Sequence, residues 1–530
     1  MGAPQWSVRS VPAQDVARYV ADGWWTDESL GHGLATGLRA HASLPFVVHS
    51  AFRPWSGTLG DVLDLARHLA GGLRDRGVGP GDVVSFQLPN WMEAAATFYA
   101  ASFVGAVVVP VVHFYGAKEL GYILGASTPK VHVTALAFGH QDFAANLSAL
   151  DLAGTEVVMV GDNSFDVLAS AEPLDGPLAV DAGAPALVGW TSGTTANPKG
   201  VIHSHRTIWS EVRQLSAAQP PYSRPNLVGA PVSHAIGMLA ALLMPLQLGQ
   251  AIHLTDVWDP GAVLRIMADH DLGAGGGATF FFTSLVDHPD FGAAHLERMT
   301  YAGMGGSSVP RAVAERLTDL GIIVYRMYGS TEHPSITGCT YADPLEKRLA
   351  TDGPPLPGVR IRLADEAGAD VRPGEPGEIL SRGPDCFVGY TDPALTAAAF
   401  DADGWYLTGD IGVADQDGYV TITDRKSDVI IRGGENISAA EVEELLVRVP
   451  GVAEAAVVAA PDERLGEHAC AFLRLAPGSA MPDLATVRAV LDGAGLARQK
   501  WPEQLVEIAE LPRTPAGKVQ KFALRARLRG

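Results

Sequence analysis

The feature that most constrains the fold is an alternation of strand-like and helix-like apolar segments between residues 81 and 135. "GDVVSF", "AVVVPVV" and "KVHVTA" have the composition of strands, and "WMEAAATFYAASFVG" and "AKELGYILGAS" between them have the composition of helices. Valine-rich runs without polar alternation are typical of strands that are buried on both faces of a parallel sheet. The sequence therefore predicts an α/β fold in which helices cover a parallel sheet.

One part of this region has the length of a membrane span. Residues 94–114, "AAATFYAASFVGAVVVPVVHF", carry no charge and are long enough to cross a bilayer. Gly105 and Pro110 interrupt the segment, and its composition changes from alanine-rich to valine-rich. We therefore predict a buried helix that leads into a buried strand, and no transmembrane segment.

The second half of the chain changes in character. Residues 358–424 are dense in Gly, Pro and Asp around short strands such as "VRIRLAD", "GEIL" and "YVTITD", which predicts an antiparallel or barrel-like piece. The segment after residue 434 is typical of helix, strand, turn and strand, and predicts a small separate α/β lobe. A chain of 530 residues is also too long for a single core.

Composition excludes some classes of partner. The net charge of −20 argues against nucleic acid, whose phosphates are bound by concentrated Lys and Arg. The three cysteines have neither metal-ligand nor disulfide spacing, which favours a reducing compartment. The start "MGAPQWSVRS" lacks the apolar core of a secretory signal. We predict a cytoplasmic protein; peripheral membrane contact and a homodimer both stay open.

The decapeptide "TSGTTANPKG", residues 191–200, has the composition of an anion-binding loop. It departs from the Walker pattern because Pro198 precedes Lys199 and Gly200 follows it. Backbone N–H groups at the glycines, four hydroxyls and a lysine can still surround phosphate oxygens. A polar surface turn has a similar composition, so the decapeptide by itself leaves both interpretations open.

Further segments follow in a fixed order along the chain. They are "GGSSVP" at 305–310, "YGSTE" at 328–332, "YLTGD" at 406–410, "DRKSDVIIRGGENIS" at 424–438 and "PRTPAGKVQK" at 512–521. Together with the decapeptide they resemble the adenylate-forming superfamily, which includes acyl-CoA synthetases, firefly luciferase and the adenylation domains of peptide synthetases. The resemblance spans most of the chain.

The resemblance implies ATP, Mg²⁺ and coenzyme A as reactants or cofactors. The decapeptide would hold the β- and γ-phosphates, Thr331 would contact the α-phosphate, and Glu332 would bind Mg²⁺ through hard carboxylate oxygens. Asp410 suits the ribose because one carboxylate can accept hydrogen bonds from both hydroxyls of a diol, and Arg425 would reach the same sugar. The implied nucleotide contacts are Thr191, Ser192, Gly193, Thr194, Thr195, Lys199, Gly305, Gly306, Ser307, Tyr328, Gly329, Ser330, Asp410 and Arg425.

The resemblance also divides the chain into residues 1–424, which would bind AMP and the acyl group, and a mobile domain of residues 425–530. Lys518 would be the catalytic lysine of the mobile domain, whereas Lys521 has the features of a solvated helix face. After adenylation the mobile domain would rotate about a hinge at Ser427, where relatives have Asp or Lys. The rotation would present a coenzyme A tunnel formed by Arg432, Gly433, Gly434 and Glu435.

The acid would lie against His234, Gly237, Phe281 and Gly303. The segment "PVSHAIGM", residues 231–238, lacks the aspartate with which amino-acid-activating relatives bind an ammonium group, so a fatty, cyclic aliphatic or steroid-derived acid is favoured. His203 and His205 could share one face of a strand, but no third metal ligand is indicated. Two alternatives stay open: a fatty acyl-AMP ligase that serves a carrier protein, and a catalytically silent acyl- or nucleotide-binding protein.

Overall fold

The computed structural model describes most of the chain. Some predicted site residues lie outside the described residues, namely Ser192, Gly193, Thr194, Thr195, Ser307, Ser427, Gly433, Gly434 and the side chain of Glu435. The described residues are 6–152, 154–191, 198–220, 224–274, 276–306, 309–426, 428–432, 435–462, 466–494, 496–513 and 518–528.

A seven-stranded sheet forms the centre of the first half of the chain. Five of its strands are parallel, and two antiparallel strands extend one edge. The parallel sheet predicted from the alternating segments is thereby confirmed. In spatial order its strands are Gly389–Tyr390, Lys199–Ser204, Pro185–Thr191, Val107–Pro110, Val83–Gln87, Val131–Ala135 and Glu156–Val160.

The uncharged segment at residues 94–114 folds as predicted. The helix Met92–Phe103 is buried along its whole length and leads into the buried strand Val107–Pro110. Its small alanine side chains let it pack closely between the helix Leu59–Asp75 and the sheet. Within the described part of the chain, every helix falls short of the length and apolar character needed to cross a membrane.

Three further four-stranded sheets complete the larger part of the molecule. Two of them combine parallel strands with one antiparallel edge strand, and the third is fully antiparallel, in agreement with the prediction for residues 358–424. Their strands, in spatial order, are Leu227–Val228, Ile252–Thr255, Pro45–His49 and Trp55–Thr58; Gly276–Gly277, Tyr301–Met304, Ile323–Tyr328 and Thr337–Gly338; and Arg360–Ala364, Pro376–Arg382, Tyr406–Ala414 and Val420–Arg425.

The last hundred residues contain a five-stranded sheet with a hydrophobic cluster of its own, which includes Ile430, Val457, Leu473 and Leu491. The predicted mixture of helix and strand is present there. Its strands are Glu435–Ile437, Ile430–Arg432, Val452–Asp462, Gly466–Leu475 and Gln504–Glu507. A two-stranded ribbon, Ala137–Phe138 with Gln141–Asp142, lies in the first half of the chain.

Helices cover the sheets, and several begin with side-chain caps that the sequence encodes. The helix Leu59–Asp75 begins with a reciprocal cap between Thr58 and Asp61, and the helix His205–Ala218 begins with one between Ser204 and Thr207. The remaining helices are Ala13–Ala21, Leu30–Ala40, Ala117–Ser127, Phe143–Ser148, Asn163–Ala169, Ala235–Met238, the π-helical turn Leu239–Leu243, Met244–Leu248, Pro260–His270, Thr279–Val286, Ala293–Leu296, Arg311–Asp319, Leu345–Ala350, Pro393–Ala399, Ala439–Leu446, Leu484–Gly493, the 3₁₀ turn Arg498–Lys500 and Lys521–Arg527.

Candidate active site

The segment "YGSTE" forms a tight turn at the end of the strand Ile323–Tyr328. A Cβ atom on Gly329 would lie 1.8 Å from the carbonyl oxygen of Pro334, so no other residue fits there without moving the backbone. The turn closes through Ser330, whose N–H donates to the carbonyl of His333 at 2.9 Å and whose hydroxyl accepts from the His333 N–H at 3.2 Å. This geometry fixes the positions of Thr331 and Glu332.

Glu332 is held from two sides. Its backbone carbonyl accepts a hydrogen bond from Phe387 N at 2.8 Å, and its carboxylate Oε1 accepts one from the Tyr390 hydroxyl at 2.8 Å. Burial, followed by the Glu332 charge, raises the pKa of Tyr390, so its hydroxyl remains a donor at neutral pH. The ammonium of Lys199, at the end of the decapeptide, lies 5.6 Å from the centre of the Tyr390 ring. Tyr390 therefore connects two residues that the sequence predicted to bind phosphate and Mg²⁺.

A carboxylate oxygen set of this kind fits Mg²⁺, which prefers oxygen ligands. The Tyr390 hydroxyl donates to Oε1 of Glu332, and a carboxylate has further lone pairs that can bind a cation. The Tyr390 contact was not predicted, because Tyr390 lies 58 residues from Glu332 in the chain. Strand pairing brings the two together, since Tyr390 sits on an edge strand beside Lys199–Ser204.

Asp410, Arg425 and Tyr328 form a second charged group. Asp410 and Arg425 face each other in antiparallel strands, and Arg425 Nε donates to Asp410 Oδ1 at 2.7 Å. The Tyr328 hydroxyl donates to Asp410 Oδ2 at 2.7 Å. Burial and then the Asp410 charge raise the pKa of Tyr328, whereas Asp410 raises the pKa of Arg425 against the opposing effect of burial. The buried carboxylate is thus held in one orientation, with lone pairs left for further donors.

Lys518 lies next to this group. Burial lowers the pKa of its ammonium, the nearby Arg425 cation lowers it further, and the charges of Asp410 and Asp428 oppose these effects. The charges of Arg425 and Asp410 thus act on the Lys518 ammonium. The structure therefore brings together three charged residues that were predicted from three separate motifs.

A cavity opens beside Thr331. It extends between the strands of the central sheet, the helix His205–Ala218 and the segment 233–239, and it places the predicted residues Thr331 and His234 on one surface. Burial lowers the pKa of His234, so its imidazole is neutral at pH 7. The cavity is lined by Pro110, Leu187, Gly189, Trp190, His203, Thr207, Ile208, Glu211, Ser233, His234, Ala235, Met238, Leu239, Thr331 and Pro334.

Trp190, Ser233 and Glu211 are among the residues that place polar atoms in the cavity lining. Trp190 Nε1 and Ser233 Oγ are buried and have no hydrogen-bond partner among the described residues. Glu211 Oε1 accepts a hydrogen bond from the Ser335 hydroxyl at 2.7 Å. Burial, and next the Asp385 charge, raise the pKa of Glu211 well above its ordinary value, which favours the protonated form of this carboxyl. The cavity therefore offers uncharged hydrogen-bonding groups within a mostly apolar surface.

Two buried histidines, His203 and His333, form hydrogen bonds next to the turn that carries Glu332. His203 Nε2 donates to the carbonyl of Thr331 at 2.7 Å. His333 contacts Ser381 Oγ at 2.8 Å through Nδ1 and Asp385 Oδ1 at 3.1 Å through Nε2. His205 instead accepts from the backbone N–H of Leu30 at 3.0 Å. His203 and His205 thus have different hydrogen-bond partners. The contacts of His333 with Ser381 and Asp385 were not predicted from the sequence.

The structure separates other predicted residues from the cavity. Phe281 packs against Trp258 with ring centres 4.6 Å apart, and a Cβ atom on Gly303 would lie 2.8 Å from the Tyr325 ring. Gly237 shapes the cavity indirectly, because a Cβ atom there would lie 2.1 Å from the carbonyl oxygen of Pro231. Phe281 and Gly303 therefore do not line the described cavity.

Gly305 and Gly306, two of the implied nucleotide contacts, lie near the "YGSTE" turn. A Cβ atom on Gly305 would lie 2.8 Å from the carbonyl oxygen of Met327, and Gly306 has a φ of +74° with Ile236 beside it. Both positions therefore require glycine.

Two basic residues of the C-terminal part have partners there. Arg432 Nε binds Glu503 at 2.6 Å. Lys521 binds Glu443 at 2.9 Å, and both side chains are mostly buried. The expectation that Lys521 lies on a solvated face is therefore wrong, because the helix Lys521–Arg527 packs against the strand Val452–Asp462.

Comparisons with known proteins place this arrangement in a family. The AMP-binding enzyme model matches residues 41–391, and the AMP-binding enzyme C-terminal domain matches residues 441–518. The chain is 34% identical to the medium-chain fatty-acid–CoA ligase of Escherichia coli strain K12, over 96% of this chain and 92% of that protein. It is 36% identical to the 3-[(3aS,4S,7aS)-7a-methyl-1,5-dioxo-octahydro-1H-inden-4-yl]propanoyl:CoA ligase of Mycobacterium tuberculosis, over 85% and 89%.

The fold agrees with these matches. The crystal structure of ATP-bound MatB from Rhodopseudomonas palustris superposes with a TM-score of 0.84 at 28% identity, and covers 94% of this chain and 98% of that one. The motifs that resemble the adenylate-forming superfamily thus occur within the matching sequence and fold. The chain belongs to the AMP-binding enzyme family and is, as predicted, an AMP-forming acid–thiol ligase.

Proposed function

We propose that this ligase activates a carboxylic acid whose hydrocarbon part carries a hydroxyl or keto oxygen, and that the groups described above perform the activation. The observation that carries the proposal is the cavity that runs from Thr331 to Glu211. Its lining includes Thr331, of the turn that holds Glu332, together with Trp190 and Ser233, whose buried polar atoms have no hydrogen-bond partner among the described residues.

The reaction consists of two transfers. A carboxylate is a poor electrophile, so its oxygen first attacks the α-phosphorus of ATP, the bond to the β-phosphate oxygen breaks, and pyrophosphate leaves. The thiol of coenzyme A then attacks the acyl carbon, loses its proton, and displaces AMP. Negative charge accumulates around the α-phosphate during the first transfer, and fixed cations in a site of low dielectric stabilise it.

The described residues fit the first transfer. Lys518 would neutralise charge at the α-phosphate, and Asp410 with Arg425 would hold the ribose. Glu332 would hold Mg²⁺, which when bound neutralises phosphate charge. Lys199 would contact the phosphates that leave. The position of Lys518 beside Arg425 and Asp410 supports an arrangement suited to adenylation.

The second transfer needs a different arrangement of residues 425–530. We propose that they rotate about the connection at Ser427, which withdraws Lys518 and brings the segment 432–435 toward the acyl-AMP. Domains that are joined by a single short connection can rotate as rigid bodies. Arg432 would exchange its bond to Glu503 for contacts along the path of the thiol.

The cavity wall argues for an oxygenated acid. A buried donor without a partner costs about 1–3 kcal/mol, so Trp190 Nε1 and Ser233 Oγ are better satisfied by a ligand that accepts hydrogen bonds. A protonated Glu211 adds no charge that a cationic substrate would need. The ring ketones named for the relative from M. tuberculosis have this chemistry. We extend that substrate class, though not that compound, to this chain.

The three cysteines are buried free thiols, and this supports the proposed location in a reducing cytoplasm.

The test measures pyrophosphate release with ATP and Mg²⁺, with and without coenzyme A. The panel pairs straight-chain acids with ring-containing keto and hydroxy acids of equal carbon number, and an amino acid serves as a further comparison. Release that needs an oxygenated acid, with thioester formed only when coenzyme A is present, would support the proposal. An equal or greater rate with the matched straight-chain acids would refute the substrate class and leave the ligase reaction intact.

Ser233→Ala sharpens this test. Loss of one neutral hydrogen bond of about 0.5–1.5 kcal/mol lowers kcat/KM for the oxygenated acids by about 2- to 10-fold and leaves straight-chain acids unchanged. Glu211→Gln is the matched control, because an amide resembles a protonated carboxyl. If release occurs but no thioester forms with coenzyme A, a carrier protein becomes the favoured acceptor. Nucleotide binding without any release would favour a silent binding protein.

A further inference from the structure

Three histidines converge on a part of the molecule that the adenylation chemistry does not use. His49, His253 and His270 each place one ring nitrogen within 4.8 Å of the other two. His49 Nε2 and His253 Nδ1 are 3.1 Å apart. The three residues come from two strands and the end of a helix, so the fold and not the local sequence brings them together.

Strand pairing places the first two histidines. The strands Pro45–His49 and Ile252–Thr255 are parallel neighbours, with Val47 opposite His253 and His49 opposite Thr255. Because side chains alternate along a strand, His49 and His253 project from the same face of the sheet. Residues on the opposite face are buried in the main core: Phe46, Val48, Ile252 and Leu254.

The third histidine is held over this face by a helix. Leu227 is paired with His253, and it packs in one cluster with Val263, Leu264 and Met267 of the helix Pro260–His270. The helix therefore lies across the face that carries the two strand histidines, and His270 is its last residue.

The chain just beyond His270 is fixed. Asp271 has a φ of +53° and ends the helix, and its carboxylate binds Arg224 at 3.1 Å and Arg298 at 3.2 Å. The fold therefore fixes the position of His270 without a bound ligand.

The chemistry of the cluster suits a metal ion. His253 is buried and His49 is half-buried, and the ring centre of His270 lies 4.6 Å from that of His49 and 5.8 Å from that of His253. Neutral imidazoles are the form that binds metals, and nitrogen ligands favour Zn²⁺, Ni²⁺, Co²⁺ and Cu²⁺ over Mg²⁺. A tetrahedral Zn²⁺ with bonds of about 2.0–2.1 Å separates its nitrogen ligands by about 3.3 Å. The 3.1 Å between His49 and His253 is close to that spacing.

A direct hydrogen bond between His49 and His253 would explain why their two ring nitrogens are close together. It would not explain why His270 lies beside them. His270 is exposed, so the cluster can be reached from solvent, and a water molecule can occupy a fourth ligand position. We propose that His49, His253 and His270 bind one divalent transition-metal ion, of which Zn²⁺ is the best match. The ion joins the helix Pro260–His270 to the neighbouring sheet and takes no part in adenylation.

The test uses the full-length protein after treatment with a chelator and dialysis, with Zn²⁺ as the only added metal and no ATP. Titration calorimetry and elemental analysis should show one tightly bound Zn²⁺ per chain. Co²⁺ should give the visible absorption of a tetrahedral site with nitrogen ligands. The three cysteines are buried. If they bound Co²⁺ instead, thiolate-to-metal charge-transfer bands would appear in the spectrum. Bound metal should also raise the melting temperature.

His270→Ala is the decisive variant because His270 is exposed and its replacement leaves the core intact. Loss of even an outer partner of a metal ligand costs about 10- to 100-fold in affinity, so loss of a ligand should weaken Zn²⁺ binding by about 100-fold or more. His140→Ala, at another exposed histidine, should bind Zn²⁺ as the unmodified protein does. Both variants should keep acid-dependent pyrophosphate release.

Equal Zn²⁺ affinity in His270→Ala and His140→Ala would overturn the proposal, as would the absence of a bound equivalent in the unmodified protein. A second variant, His253→Gln, guards against an indirect effect of the first. It should abolish the tetrahedral Co²⁺ spectrum, and an unchanged spectrum would likewise overturn the assignment.

Discussion

Replacing Tyr390 with phenylalanine removes one hydroxyl and the hydrogen bond that it donates to Glu332 at 2.8 Å. The ring keeps its contact with Phe387, at a centre-to-centre distance of 4.9 Å, and its position near Lys199. The variant therefore isolates one interaction with the residue proposed to hold Mg²⁺.

The expected effect follows from the charge of the acceptor. A hydrogen bond to a charged group contributes about 1.5–3 kcal/mol, and each 1.36 kcal/mol is a factor of ten in rate. Tyr390→Phe should therefore lower kcat/KM for MgATP in the adenylation step by about 10- to 150-fold. Because Glu332 would still be present but less well oriented, a higher Mg²⁺ concentration should recover part of the loss.

The assay is acid-dependent pyrophosphate release in the absence of coenzyme A, measured across a range of Mg²⁺ concentrations. Tyr419→Phe is the matched control, since its hydroxyl also donates to a carboxylate, that of Asp343, outside the site. If Tyr390→Phe showed the Mg²⁺ dependence and rate of Tyr419→Phe, the hydrogen bond to Glu332 would have no part in metal binding or catalysis.

The remaining predictions concern Lys518, Asp424 and the cavity. Lys518→Ala should lower acid-dependent pyrophosphate release by about 10²- to 10³-fold. Lys521→Ala breaks the ion pair with Glu443, so it should lower the melting temperature but leave the rate close to that of the unmodified protein. Burial raises the pKa of Asp424 to about 6, above its ordinary 3.8. The folded protein therefore binds this proton more tightly than the unfolded chain does. The resulting contribution to folding stability is complete at low pH and is lost as the pH rises through about 6. Asp424→Asn removes this loss, so in urea unfolding it should raise the free energy of unfolding by about 1.4 kcal/mol more at pH 8 than at pH 5. Equal effects at the two pH values would contradict this. Gly237→Ala should raise KM for the acid, measured by steady-state kinetics with saturating ATP, because its Cβ would collide with the Pro231 carbonyl and move the cavity wall.

Much of the fold and part of the site could be predicted from local patterns. The alternation at residues 81–135 predicted the parallel sheet, because valine-rich strands are stable only when both faces of their sheet are covered. Asp410 and Arg425 were predicted from separate motifs, and in the structure their side chains pair at 2.7 Å.

The rest depends on contacts between distant parts of the chain. Tyr390 reaches Glu332 because of a two-residue edge strand, and Glu211 meets Asp385 only in the folded core. No periodicity or motif marks such pairs. Lys521 was misjudged for the same reason, because a basic residue near the chain end gives no indication of the acidic partner that tertiary packing supplies.

The buried hydrogen bonds behind the cavity constrain how this enzyme could acquire new substrates. Glu211, Ser335, Asp385 and His333 form one connected set that ends at the turn carrying Glu332. A mutation that reshapes this wall would disturb ATP handling together with acid choice. Met238 also lines the cavity but is not a member of this hydrogen-bonded set, so changes of acid specificity are less constrained there.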